Sequence, residues 1–554
     1  MEAAHLPASP SSRLQALAAL RAQLQGVEAS VELLECLAAQ LPSVPDSSLF
    51  ADVGSAPAAP SDQAQAAAWG AAAAAHLQLL AELVARLDAV ALGMEALAAS
   101  GSSEAAAGPP GSLRIEELDA AAPTTRLPAA LVLATALFGS SDAELAPLRP
   151  WAAEPAAAAA QQLLAALASK LAGVLEQRRQ EGQQTSSQPG ALLLEVSTTT
   201  KAAASTHTCQ PEAVQQLLAL AMQPVVQQLR PVLAAKVEHS KHKSARLEPY
   251  TGPGEFERCV AAGQLAWLLR QLSGRQLSAA TSAAMPLLLQ ASEDPFPPVQ
   301  ACALWSLQHR AAAGQAGDLK PHARLLLPAV KRGLEGASDA AFPAAAAAAI
   351  DVVARLEGPN PYARSYHDVM TILLGEGELG GHNPERAAAW LAAAPPLFPR
   401  LGLQLASHFS RLMPLLLGWC RAPQQHVRLA ALAALLEAIR MTWPRIPVHT
   451  AVLWGVLRRV HSEETQCSTV IGSAEQGPAT VAAAAVDCAL ALWFAGGTAF
   501  QSELMTAKGS AQDELLQAVM QRLEECAEEE QEAAGPADAA QQEQQAQQPL
   551  VQML

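Results

Sequence analysis

Three observations predict an all-α fold, a HEAT/armadillo-like α-solenoid of stacked helix pairs with disordered inserts and an acidic C-terminal tail. The first is composition: apolar residues make up 51% of the 554, yet aromatics are only 4% and much of the apolar share is Ala and Leu. Ala, Leu and Gln favour helices, whereas strands draw on β-branched and aromatic side chains, so this composition argues against an all-β fold. The second is the recurrence of apolar residues at three- and four-residue steps, the period of a helix face. The third is internal repetition at a spacing typical of helix-pair repeats. A chain of this length suits three or four domains or one long array.

The elements follow in order. Ser12 to Leu41 reads as one or two helices, with Leu14, Leu17, Leu20, Leu24 and Val27 on one side. A Pro/Ser/Ala-rich stretch at about 43–62 reads as a linker. Ala64 to Ala98 is helical again, with Leu77, Leu80, Leu83, Val84 and Leu87 on one face. Residues 100–123 contain Gly-Ser-Ser and Gly-Pro-Pro-Gly and are expected to be disordered. Trp151 to Glu176 forms a helix, followed by a polar connector at 178–207. These pieces form a divergent helical N-terminal region, 1–210. From Pro211 the helices crowd together, and seven of the nine Trp fall between Trp267 and Trp493, which puts the best-packed part there. The HEAT-like region is 211–525, its last helix running from about Gln512 to Glu525. The Gln/Glu/Ala tail, 526–554, is expected to be solvated.

The repeat signal is carried by two segments. Asp294-Pro-Phe-Pro-Pro-Val299 opens a Val-led helix after a Pro-containing turn. Pro423-Gln-Gln-His-Val427-Arg428 opens another, in which Val427, Ala431, Leu435 and Ile439 make one apolar stripe beside Arg428 and Glu437. Val299 and Val427 are 128 residues apart, close to three units of the HEAT length. Phe342-Pro343 opens an Ala-rich helix that fits an intermediate unit. HEAT repeats often pair a turn Asp with an Arg of a neighbouring helix. Here the first copy has Asp294 with Gln300, and the second has Arg428 without a turn Asp, so an incomplete ladder is expected.

Charge and cysteine usage narrow the function classes. Lys+Arg is 36 against 52 Asp+Glu, a net −16 with pI near 5.3, which argues against a protein whose main task is gripping nucleic acid. The stretch from Asp513 onward contributes −9 of that charge. The eight Cys are scattered without a CxxC pair, so neither a disulfide framework nor a zinc site is expected. The N-terminus lacks the pattern of a secretory leader, and no strongly apolar run escapes interruption by charge or Pro, so no membrane span is expected. A cytoplasmic protein with reduced thiols is the expectation, with the nucleus open as a second compartment.

Catalytic signals are weak. Gly375-Glu-Gly377-Glu-Leu-Gly380 satisfies GxGxxG, but two Glu inside it would repel a pyrophosphate and no acid lies between Glu385 and Glu437 to hold a ribose. It reads as a Gly-rich loop between helices. His239 and His242 lie among Arg230, Lys236, Lys241, Lys243 and Arg246, cations that oppose a metal; the cluster reads as a solvated basic face that could dock an acidic partner or the chain's own tail. No nucleophile elbow, Walker motif, zincin or kinase pattern is present, so no enzyme, cofactor or metal is expected. Trp443-Pro444 is expected to end a helix, with Arg445 satisfying its last carbonyls and Trp443 capping the core. Arg400, Trp443 and Arg445 are also the candidates for a partner surface, because Trp and Arg are frequent interface anchors. Phe398, Leu401, Gly402, Pro444, Val427 and Arg428 read as structural.

Five blocks in order resemble the Tti2 family, the Tel2-interacting subunit of the Tel2–Tti1–Tti2 (Triple T) complex. They are Tyr366-His-Asp-Val-Met-Thr-Ile-Leu-Leu374, Leu397-Phe-Pro-Arg-Leu-Gly402, His408-Phe-Ser-Arg-Leu412, Thr442-Trp-Pro-Arg-Ile446 and Asp487-Cys-Ala-Leu-Ala-Leu492. The resemblance covers about residues 290–495, a little over a third of the chain. The resemblance implies a non-catalytic scaffold or co-chaperone subunit that binds Tel2-like and Tti1-like proteins. With the ninety-kilodalton heat-shock chaperone system, such an assembly matures phosphatidylinositol 3-kinase-related kinases of DNA-damage and TOR signalling. The alternatives are an importin-type transport receptor, whose Trp-x-x-x-Asn pairs are missing here, and a phosphatase regulatory subunit, which would show a more regular Asp/Arg ladder.

Overall fold

The computed structural model describes residues 10–24, 31–40, 60–88, 92, 94–103, 126–140, 144–149, 152, 154–185, 211–234, 254–471, 480–506 and 513–526. All regular structure among them is helical. The predicted basic face at 236–246, most of the three linkers and the tail beyond 526 lie outside the described residues. The chain divides into two compact units, Met1–Ala329 and Val330–Leu554. The compositional change at Pro211 falls inside the first.

The first unit contains α1 (Pro10–Leu24), α2 (Val31–Ala39), α3 (Pro60–Arg86), α4 (Met94–Ser103), α5 (Arg126–Phe138), α6 (Glu154–Thr185), α7 (Pro211–Leu233), α8 (Glu255–Arg270), α9 (Gly274–Ala291) and α10 (Pro297–Ala313). Ser12–Leu41 and Ala64–Ala98 therefore each hold two helices. Each of the predicted linkers also gives way to helix at one end, at Pro60, through Ser103 and through Thr185. The face predicted for α3 is its core face: Leu77, Leu80, Leu83, Val84 and Leu87 are all buried. It lies along α6. Lys170 and Arg178 of α6 donate to the carbonyls of Ala85 and Glu95, at 2.9 Å each. Further on, α7 packs on α9 and α8 on α10, while α7 meets α8 and α9 meets α10. Contacts of each helix with its next and next-but-one neighbours are the pattern of stacked helix pairs.

The second unit repeats this arrangement. Its helices are the end of α11 (Ala323–Glu335), α12 (Phe342–Glu357), α13 (Arg364–Gly380), α14 (Pro384–Ala393), α15 (Phe409–Trp419), α16 (Gln425–Thr442), α17 (Thr450–Ile471), α18 (Val481–Thr506, kinked at Gly497) and α19 (residues 514–526). One layer is continuous: α12 packs on α14, α14 on α16 and α16 on α18, while α13 packs on α15 outside it. This is an all-α, HEAT-like solenoid. Within the second unit the helices of this layer begin at 342, 384 and 425, steps of 42 and 41 residues. The unit at 384 carries no Val-led signature; it is set by Asn383, whose side chain accepts from the Glu385 amide at 3.1 Å, and by Pro384 in the first turn. The stripe Val427, Ala431, Leu435 and Ile439 is buried as predicted.

Two expectations change. The Arg/Asp ladder is fuller than predicted because its register differs. Asp294 pairs with Arg258 of α8, and Arg310 of α10 pairs with Asp318 at 2.6 Å and with the Thr281 hydroxyl. Arg386 of α14 reaches Glu376 at 2.6 Å and Asp339 at 3.3 Å, and its guanidinium lies 3.8 Å from the Phe342 ring centroid. Second, among the described residues three helices are long and apolar enough to cross a membrane by length and composition, over Ala67–Arg86, Glu154–Glu181 and Val481–Thr506. Alanine makes the difference, since it raises hydropathy without standing out as a strongly apolar run. Between 44% and 61% of each window is buried inside the protein.

Candidate interaction surface

The glycine run of α13 has a packing role. Gly375–Gly380 is helical to its last residue, which corrects the loop expected there: Gly377 and Gly380 leave room for bulky neighbours to pack against the helix. A Cβ on Gly377 would sit 2.8 Å from Leu415 Cδ2, 3.0 Å from Trp390 Nε1 and 3.2 Å from Trp419, and one on Gly380 would sit 2.6 Å from Arg386 Cγ. Trp390 and Trp419 pack against each other with centroids 5.1 Å apart. Their indoles donate to the carbonyls of Leu373 at 2.6 Å and Gly381 at 3.2 Å. Beside them a cleft of about 500 Å³ opens among Gly377, Leu415, Trp419, Arg421 and Val427. Arg411 clamps Glu378 at 2.7 Å on its rim, and this hydrogen bond holds the Glu378 carboxyl below its ordinary range.

The family-like block at 397–402 forms tight turns, Pro395–Leu397 and Phe398–Leu401, that lead into a 3-10 stretch, Gly402–His408. Leu397, Phe398, Leu401 and Leu405 are fully buried, which leaves Arg400 exposed between them. Gly402 ends the Phe398–Leu401 turn at φ +50°, a conformation that side chains other than glycine's rarely adopt. Phe398, Leu401 and Gly402 are thus anchors for this loop. The block at 366–374 explains itself similarly. The Tyr366 hydroxyl donates to the Gly358 carbonyl at 2.6 Å, and Asp368 pairs with Lys331 at 2.7 Å. His367 Nδ1 lies 3.0 Å from His408 Nε2, with the rings stacked. Burial, then His367, then Arg411 lower the His408 pKa, so this pair is held together with at least one neutral ring.

Trp443-Pro444 ends α16 as predicted, and a 3-10 stretch, Trp443–Val448, carries the chain to α17. The core is capped by Ile446, which is fully buried, and not by Trp443, whose side of the turn faces outward and leaves it 49% exposed. Arg445 is exposed and makes no hydrogen bond to the α16 carbonyls, a second correction with the same cause. Pro444 is also exposed. Val427 is buried, and Arg428 spans to Glu464 of α17 at 3.2 Å, so both hold helices together. Trp443 and Arg445 thus share one turn; Arg400 stands apart on the 398–401 turn, which packs on the same helix, α16.

Sequence reasoning missed two companions. Val448 and Val452 are 86% and 63% exposed. No periodicity marks them, because a 3-10 turn and the first turn of α17 break the helical register. Phe409 and His449 meet edge to face, centroids 5.4 Å apart, and so join this stretch to the start of α15. Burial pushes the thiols of Cys259 and Cys420 up to about 12, so both stay protonated near neutral pH.

No known family profile matches the chain. An uncharacterised protein of Arabidopsis thaliana is 28% identical over 186 residues, which are 34% of this chain and 42% of that protein. Among solved structures, the karyopherin Kap121p bound to Pho4p aligns with 92% of this chain and 43% of its own at 12% identity and a TM-score of 0.42. Kap95p with RanGDP aligns with 92% of this chain and 56% of its own, at 12% identity and a TM-score of 0.41. The chain thus spans about half the length of these proteins.

Proposed function

We propose that this protein is a non-catalytic scaffold of the co-chaperone kind, a Tti2-like subunit that binds Tel2-like and Tti1-like proteins. Through them it works with the ninety-kilodalton heat-shock chaperone system on phosphatidylinositol 3-kinase-related kinases, in the cytoplasm and with access to the nucleus. The observation that carries the reading is the split within the five blocks. Tyr366, Phe398, Leu401 and Gly402 have structural work inside the second unit, whereas Trp443 and Arg445 make no hydrogen bond or ion pair through their side chains among the described residues and stand exposed together. A large aromatic beside an arginine is the composition of an interface hot spot. A helix-pair stack offers the extended face such an interface needs, on the order of 1,200–2,000 Å² in total.

Affinity purification of the tagged full chain from its own cells, with quantitative mass spectrometry, tests this. Stoichiometric Tel2-like and Tti1-like chains are expected with the natural sequence, and at least about a tenfold loss with Trp443→Ala plus Arg445→Ala, the effect of removing about 1.4 kcal/mol or more of binding. Recovery of neither protein with the natural sequence overturns the family reading and leaves only the solenoid.

A further inference from the structure

Residues 386–462 carry nine Arg and a single acid, Glu437, in a chain whose net charge is −16. Four of the nine are paired with carboxylates elsewhere: Arg386 with Glu376 and Asp339, Arg411 with Glu378, Arg428 with Glu464, and Arg458 with Asp513. Arg400, Arg421, Arg440, Arg445 and Arg459 are exposed, and none makes an ion pair among the described residues. Three of these alternate along 440–459 with the exposed Trp443, Val448 and Val452. Val452 and Arg459 are seven residues apart on α17 and so share a face. Cations interleaved with apolar side chains fit an acidic polypeptide that also carries apolar groups; a phosphate backbone would leave Val448 and Val452 uncovered.

The chain contains such a segment. Residues 527–554 hold six acids and no base, and they finish with Leu550, Val551, Met553 and Leu554. The helix that leads into them, α19, is tied at its first residues to the strip's own helix. Trp454 of α17 donates to Asp513 at 3.4 Å, Arg458 lies 3.9 Å from the same carboxylate, and Thr465 donates to Glu514 at 3.3 Å. From the end of α19 the segment can span up to about 90 Å when extended. A tether of that kind holds its acids near the strip at roughly millimolar effective concentration.

We infer that the acidic C-terminal segment, 527–554, docks on the Arg440–Arg459 strip of its own chain and covers the surface until a partner displaces it. The inference builds on the reading of this strip as a partner surface. Its test uses the protein alone, so that a missing partner and a missing tail contact give separate results.

A photo-crosslinking residue is placed at Val448 in the full chain, and the products are mapped by mass spectrometry at high dilution. Crosslinks into 527–554 of the same molecule are expected. Their yield should fall roughly tenfold at 500 mM salt, where surface attraction is screened. It should fall as far when Glu528, Glu529, Glu530, Glu532 and Glu543 become Gln and Asp538 becomes Asn, or when Arg440, Arg445 and Arg459 become Glu. As an independent readout, hydrogen exchange across 443–452 should quicken in the neutralised-tail chain. Crosslinks only to other segments, crosslinked dimers in place of internal products, or exchange unaffected by neutralising the tail would each overturn the inference.

Discussion

Two sets of arginines in this protein obey opposite rules. Along the helix stack, Arg258, Arg310 and Arg386 have side chains 3%, 2% and 6% exposed, and each meets a carboxylate from another turn or helix. Along 440–459, Arg440, Arg445 and Arg459 meet solvent and no carboxylate among the described residues. A buried guanidinium without a counter-charge is too costly to keep, so the first set shows how the stack is tied. An exposed one costs little and contributes little, so folding alone gives no reason for the second set. The difference separates residues that build the solenoid from residues available to something outside it.

The largest effect should follow from cutting a tie. In Arg386→Leu, Glu376 loses its 2.6 Å partner, and the carbonyls of Ala337 and Ser338 lose donors at 3.3 Å. Removing one member of a buried pair typically costs about 3–5 kcal/mol. Urea unfolding followed by Trp fluorescence should show that loss for Arg386→Leu and almost none for Arg459→Ala. Equal effects at the two positions would erase the distinction.

A smaller effect should come from a buried histidine. His76 of α3 is fully buried, with Nε2 2.9 Å from the Leu37 carbonyl, and burial first, then Arg13, lower its pKa to about 4. The folded protein thus holds it neutral, while the unfolded chain protonates near the ordinary value of about 6.5. Its contribution is intact above about pH 6.5 and is lost as pH falls toward 4, a loss of roughly 2–3 kcal/mol by pH 4.5. Between pH 7 and 4.5 the natural protein should lose about that much more stability than His76→Leu. Parallel pH profiles would show that His76 is not held neutral.

The glycine run gives a third, smaller test. Gly377→Ala puts a methyl 2.8 Å from Leu415. Overpacking of this kind costs about 1–3 kcal/mol. Stability unchanged by the substitution would mean that the α13–Trp390–Trp419 packing is loose.

Much of this architecture was legible in the sequence because periodicity encodes one-sided burial. The Leu77–Leu87 face and the Val427–Ile439 stripe needed only counting. The repeat at 384 was not legible, since Arg386 and Trp390 do there what a Val-led stripe does at 427. The Arg258–Asp294 tie was missed because its partners lie 36 residues apart, on elements whose neighbour relation only the fold supplies. Trp443 was misassigned for a related reason: Trp-Pro fixes where a helix stops, but not which side of the following 3-10 turn faces the core. Ile446 took the inward position, and nothing local to the sequence decides between the two.

The smallest expected change in stability is also the most informative. Trp443→Ala and Arg445→Ala remove an exposed ring and an unpaired cation, so each should shift unfolding by less than about 0.5 kcal/mol, the range of surface substitutions that break no packing. Ile446→Ala, one residue further on, empties a fully buried position and should cost about 2–5 kcal/mol. If Trp443→Ala and Arg445→Ala abolish partner recovery while Ile446→Ala acts through stability, the turn has two faces with two tasks, one folded into the stack and one turned to the partner. If Trp443→Ala instead unfolds the protein as Ile446→Ala does, the ring is part of the core in solution and the strip loses its aromatic anchor. Urea unfolding and pull-down measured on the same three preparations separate these results, because loss of binding at unchanged stability can only come from the outward face.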